Sequence, residues 1–222
     1  MNPSIAELQQ KRRFASLLMT YACTIACDHC CFNGSPHQPD VAVSVDDAVQ
    51  WLGQLHQLDR LVHVAGGEPF RYWDRLRDIV RAAGAQGVAP HFVETNASWC
   101  DADAVTRERF DELRRHGVRW MFISTDVYHL EQVPVERVAR GIRIAEEVFG
   151  LGTTMGKAAP EDLERRAAIA RDPARMARYV AEHPPKLLGR AAKVLAKHVP
   201  LRPLSAFDLD MGWGRDPENT CE

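Results

Sequence analysis

Four times in succession a short apolar run is followed by an amphipathic stretch, and this alternation constrains the fold more than any other feature. Phe14–Thr20 (FASLLMT), Leu61–Ala65 (LVHVA), His91–Thr95 (HFVET) and Val118–Ser124 (VRWMFIS) read as buried strands. After each, apolar residues recur at helical spacing: Val45, Ala48, Leu52 and Leu55, then Leu76, Ile79, Val80 and Ala83, then Phe110 and Leu113, then Val135, Val138, Ala139 and Ile142. The punctuation agrees. Ser44 and Asp47 approximate a capping box, Pro134 opens the fourth helix, and Gly84 or Gly87, Gly117 and Gly150 follow helix ends. Such alternation predicts a parallel sheet covered by helices.

Four clusters of chemically useful residues fall just after these strands: Cys23–Cys30, Gly66–Pro69, Thr95-Asn96 and Ser124–His129. In a βα barrel all such positions lie on the C-terminal face, where active sites are built. The pattern loosens after Gly150. Leu151–Gly156 reads as a short fifth strand, Pro160–Ala181 as a helix stopped by Pro184-Pro185, and Leu187–His198 as another helix. Val199–Leu204 reads as a sixth strand at an edge, or as a loop, because of Pro200 and Pro203. We divide the chain into a core, residues 1–204, and a polar tail, residues 205–222.

The 222 residues suffice for one large domain with a real core. A formal net charge of -2, from 28 basic and 30 acidic side chains, gives no reason to expect nucleic acid or a membrane surface as partner. The arginine-rich stretches Arg71–Arg81 and Arg137–Arg143 interleave with acidic or apolar residues and read as solvated helix faces. No apolar run is long enough to span a bilayer, and Met1–Arg13 lacks the apolar segment of a secretory signal.

Of six cysteines, four lie between Cys23 and Cys31, with Cys100 and Cys221 apart. Such bunching fits reduced thiols in the cytoplasm and a metal site rather than a disulfide framework. Cys23, Cys27 and Cys30 form C-x3-C-x2-C. A structural zinc site would want a fourth ligand, for which His29 and Cys31 are hampered by adjacency, and inert thiols are a further reading. Three thiolates also suit three irons of a four-iron cluster, leaving the fourth open to a small molecule; a closed electron-transfer cluster takes four.

With Gly66-Gly67-Glu68-Pro69, Thr95-Asn96 and Ser124-x-Asp126, each after its own strand, the cysteine motif resembles the radical S-adenosylmethionine (radical SAM) enzymes over roughly Phe14 to Gly150. The resemblance implies an α/β fold, an incomplete parallel (βα)6-type barrel or partial TIM barrel. It implies that Cys23, Cys27 and Cys30 hold a [4Fe-4S] cluster whose fourth iron is chelated by S-adenosyl-L-methionine (SAM). One electron then cleaves SAM to a 5′-deoxyadenosyl radical that abstracts hydrogen from a substrate, the cofactors carrying the hard chemistry and the protein orienting them. Gly66 and Gly67 would bring backbone close to SAM, their carbonyls and Glu68 receiving its ammonium. Ser124 and Asn96 would reach SAM, and Asp126 SAM or substrate. The usual aromatic residue before the third cysteine is here His29, and Cys31 reads as a spectator. His129 and Glu131 are a candidate acid–base pair; His63 and His91 read as core residues, and Cys100 and Cys221 as inert.

Peptide- and protein-modifying members with a cysteine-rich (SPASM-type) extension carry similar motifs, so a peptide or protein substrate is expected, with an external electron donor. A glycyl-radical-enzyme activase and a truncated, non-catalytic cluster- or peptide-binding module are the alternatives.

Overall fold

The computed structural model describes residues 14–150, 154–155 and 158–200. Five parallel strands lie side by side in chain order: β1 (Phe14–Leu18), β2 (Leu61–Ala65), β3 (Phe92–Thr95), β4 (Trp120–Ile123) and β5 (Thr154–Met155). Helices α1 (Val45–Gln57), α2 (Trp73–Ala85), α3 (Asp103–Arg115), the short α4 (Val127–Leu130) and α5 (Val135–Phe149) fill the crossovers. A doubly wound sheet reverses its winding at a switch point; here the order never reverses, so the strands trace one arc of a barrel. The expected α/β partial barrel is therefore the fold observed.

Each strand alternates its side chains between two faces. On the outer face Val62, Val64, Val93, Met121 and Ile123 are buried against Leu52, Leu76, Ile79, Phe110, Leu113 and Val138 of the helices. The inner face carries a second apolar group, Leu61, Phe92 and Trp120, with Phe14 and Phe122 packed against it. Register places Ser16 beside His63 and Glu94 beside Phe122 on that same inner face. Helix ends follow local chemistry. Ser44 caps α1, its hydroxyl accepting the Asp47 N–H at 3.1 Å. The arginines noted above are largely paired: Arg77 with Asp74 and Asp78, Arg81 with Glu112, and Arg140 and Arg143 with Asp103.

Beyond Gly150 the structure departs from the sequence reading. The expected helix Pro160–Ala181 is two helices, α6 (Pro160–Ala170) and α7 (Pro173–Glu182). Pro173 lacks an N–H and disfavours helical backbone at Asp172, and Asp172 instead caps α7, accepting from Ala174 and Arg175 N–H. The expected helix Leu187–His198 shortens to α8 (Gly189–Val194) and a 3-10 turn, Ala196–His198. Of the expected sixth strand only Val199 and Pro200 are described, and neither is in a strand. The rest of that segment, the tail and Cys221 lie outside the described residues. Among the described residues no helix is long and apolar enough to cross a membrane.

Candidate functional site

The loop after β1, from Thr20 to Val43, folds back on itself. Cys23 N–H donates to the Ser35 carbonyl at 3.0 Å, Val43 N–H to the Met19 carbonyl at 2.9 Å, and the Thr20 hydroxyl to the Val41 carbonyl at 2.6 Å. The β1–β2 ladder continues into this loop: Gly67 N–H donates to Thr20 O at 2.7 Å and Glu68 N–H to Ala22 O at 3.0 Å. A Cβ on Gly67 would stand 2.0 Å from the Ala22 oxygen, and one on Gly66, with φ of +139°, 2.4 Å from the Thr20 oxygen. The two glycines let the Gly-Gly turn press against the cysteine loop, a demand of the protein's own packing that sequence reasoning had assigned to the ligand.

One pocket at the C-terminal mouth of the barrel is lined by Cys23, Cys27, Cys30, Cys31, Gly66, Gly67, Glu94, Asn96, Ser124, His29 and His129, among others. Four motifs far apart in sequence thus meet in one place. The cysteines are free. Each of the three spaced thiols has a polar donor beside it. Asn96 Nδ2 lies 3.5 Å from Cys23 Sγ and the Gly34 N–H donates to Cys30 Sγ at 3.2 Å, while an imidazole nitrogen of His129 lies within 4.8 Å of Cys27 Sγ. Burial, with Glu68 nearby, pushes the Cys23 thiol up to about 11.

Glu68 and Asp126 do not line the pocket. Glu68 is fully buried, and its carboxylate accepts from the Thr95 hydroxyl at 2.9 Å, Asn96 N–H at 2.8 Å and Phe70 N–H at 3.1 Å. It braces the turn after β2 against the turn after β3, and burial pushes its carboxyl up to about 7 against the pull of those three bonds. Asp126 caps α4, accepting from Tyr128 and His129 N–H. Its other oxygen meets His129 Nδ1 at 2.6 Å. Burial would raise Asp126, but the imidazoles of His129 and His29 prevail and hold it well below the carboxylate range. Burial likewise would lower His129, and Asp126 and Cys27 hold it well above its usual value. The partner of His129 is therefore Asp126, and Glu131 points to solvent.

His29 is buried and stacked on Tyr128, ring centroids 4.4 Å apart, and neither ring nitrogen has a hydrogen-bond partner. Desolvation lowers its pKa to about 4. The Cys27, His29 and His129 ligand atoms lie within 4.8 Å of one another, a juxtaposition sequence reasoning missed because His129 is a hundred residues downstream; the Asp126-x-x-His129 spacing on a helical turn was its only signal.

His63, read from sequence as a core residue, faces the barrel interior, with Nε2 2.5 Å from Ser16 Oγ and Nδ1 3.4 Å from Glu94. Glu94, which went unnoticed in the sequence, lines the pocket floor with its side chain 34% exposed. His91 stands just before β3, its Nδ1 accepting the Val62 N–H at 3.1 Å. Cys100 is fully buried away from the pocket, its thiol pushed up to about 12 by burial.

A parallel βα arc with free thiols and paired glycines at its C-terminal mouth defines an α/β protein of the barrel class. Residues 17–157 match the radical SAM superfamily, and the chain belongs to it. Members typically bind a [4Fe-4S] cluster and SAM, and the donor set fits: soft thiolates at the pocket wall, with N–H groups directed at sulfur. No curated protein matches the chain.

Proposed function

We propose that this chain is a radical SAM enzyme in which Cys23, Cys27 and Cys30 hold a [4Fe-4S] cluster and SAM occupies the adjoining pocket. The observation that carries the reading is the meeting of three thiols, each with its own polar donor, on one wall of a pocket that Gly66, Gly67, Asn96 and Ser124 also line. When bound, the cluster would supply the electron that cleaves SAM, and SAM the 5′-deoxyadenosyl radical that takes hydrogen from a substrate.

The protein's own groups orient and enclose. Gly66, Gly67, Asn96 and Ser124 are the residues for direct contact with SAM, being those of the expected SAM-binding residues that border the pocket. Glu68 and Asp126 act behind them. Glu68 holds the Asn96 backbone in position, and Asp126 fixes the His129 ring and its proton beside Cys27. Leu61, Phe92 and Trp120, with Phe14 packed against them, make the inner face apolar toward the N-terminal ends of the strands. A peptide or protein side chain is the proposed substrate, with an external electron donor and a cytoplasmic setting.

The test is anaerobic reconstitution of wild type and Cys27→Ala with iron and sulfide, followed by reductant and SAM. Wild type is expected to hold about four irons per chain and to form 5′-deoxyadenosine; the variant does neither. Stoichiometric zinc without iron would overturn the reading, and a stable cluster without 5′-deoxyadenosine would mark a non-catalytic module. Incubation with peptides encoded beside this gene checks the substrate.

A further inference from the structure

The cysteine loop is gripped from a distant part of the chain. Arg190, 163 residues beyond Cys27, sends Nη1 to the Cys27 carbonyl at 2.7 Å. Its Nη2 donates to the carbonyls of Gly34 at 2.7 Å and Asn33 at 3.3 Å. The Arg190 backbone N–H donates to the Cys30 carbonyl at 3.0 Å. The preceding residue makes the approach possible: Gly189 has a φ of +54°, and a Cβ there would lie 2.4 Å from the Cys31 oxygen and 2.7 Å from the Cys30 oxygen. A side chain at 189 would push Arg190 off the loop. Gly189 and Arg190 lie outside the segment, 17–157, that matches the superfamily, so the contact comes from a part of the chain that the match does not cover.

We infer that Arg190 is a positioning residue for the cluster loop, holding the carbonyls of Cys27, Asn33 and Gly34 on one guanidinium so that the three thiols converge; this rests on the reading of Cys23, Cys27 and Cys30 as cluster ligands. The physical fit is specific. Three carbonyls spread around a loop need several donors in a fixed plane, which a guanidinium has and an ammonium lacks. The grip also reaches sulfur, because Gly34, whose carbonyl Arg190 holds, donates its own N–H to Cys30 Sγ. Without Arg190 those carbonyls turn to water and the loop gains freedom that ligation must then remove.

The test compares wild type, Arg190→Ala, Arg190→Lys and, as a surface control, Arg165→Ala, whose side chain is exposed beside Asp162. Two readouts are taken: hydrogen exchange of the Cys30, Asn33 and Gly34 amides in the cluster-free protein, and iron release to a ferrous chelator after reconstitution. Arg190→Ala is expected to exchange these amides faster and to release iron about tenfold faster or more. Arg190→Lys recovers part of both, and Arg165→Ala matches wild type. Unchanged exchange in Arg190→Ala overturns the clamp, and faster exchange with unchanged iron release overturns its role toward the cluster. Should Arg190→Ala not fold, Arg190→Lys is judged by the same two results. Should wild type bind no iron, the proposed function falls while exchange in the cluster-free protein still decides whether Arg190 orders the loop.

Discussion

The side-chain amide of Asn96 stands 3.5 Å from Cys23 Sγ, while the same nitrogen donates to the Thr24 hydroxyl at 3.0 Å and Asn96 Oδ1 accepts the Ser98 N–H at 2.9 Å. The turn after β3 thereby reaches the cysteine loop after β1, and in the proposed holoprotein the same amide would face a cluster ligand. Hydrogen bonds to sulfur raise the potential of an iron–sulfur centre. Asn96→Ala is expected to shift the cluster to a more negative potential and to weaken iron retention about tenfold. Potentiometric titration followed by paramagnetic resonance reads the first; an unchanged midpoint would remove Asn96 from the list of tuning groups.

Gly67 and Gly53 make a matched pair. A methyl on Gly67 collides with the Ala22 carbonyl, whereas nothing lies within 4 Å of one on Gly53, in the middle of α1. Gly67→Ala is expected to lose about 2 kcal/mol or more in urea denaturation, because backbone must move. Gly53→Ala should gain about 0.5–1 kcal/mol from its helix propensity. Equal effects would show that the Gly-Gly turn is less tightly seated than its contacts imply.

Asp126 and His129 form a largely shielded pair whose charges sustain each other. Removing the carboxylate in Asp126→Asn lets burial dominate, so the His129 pKa falls from well above its usual value toward or below about 6.5. Proton NMR titration of the imidazole in cluster-free protein measures this. An unmoved titration would mean that Cys27 alone holds the proton.

His63 supplies a pH test. Its folded pKa is lowered to about 4 by burial, against an ordinary value of 6.5. The folded state therefore binds fewer protons than the unfolded between those limits, so the stability from a neutral His63 is present above about pH 6.5 and lost as pH falls toward 4. Glu68 titrates with the opposite sign, its raised folded pKa favouring the folded state at the acid end, so the clean measurement is a difference. The stability of wild type minus that of His63→Leu is expected to drop by a few kcal/mol between pH 6.5 and 4. A pH-independent difference would mean that water reaches the imidazole.

The barrel arc was legible because strands and helices repeat with different periods, and because parallel strands need long crossovers, usually helices, between them. β2 was read at its observed bounds, Leu61–Ala65, since an unbroken apolar run between two turns leaves little freedom. By composition Pro160–Ala181 reads as one helix, but Pro173 and the cap at Asp172 are the local signals that divide it into α6 and α7.

Chain order and residue type were enough to bring the cysteines, Gly66-Gly67, Asn96 and Ser124 to one end of the barrel, since every loop after a parallel strand opens on the same side. They could not say which side chains face the pocket and which face one another. Glu68 and Asp126 turn away to satisfy buried N–H groups, because an unpaired donor in the interior is expensive. His129 meets Cys27 and Arg190 meets the cysteine loop through separations of about a hundred residues or more, contacts with no periodicity to betray them. Local patterns record what each segment does with itself; hydrogen bonds between loops depend on how packed elements aim them, and that emerges only once the chain has closed on itself.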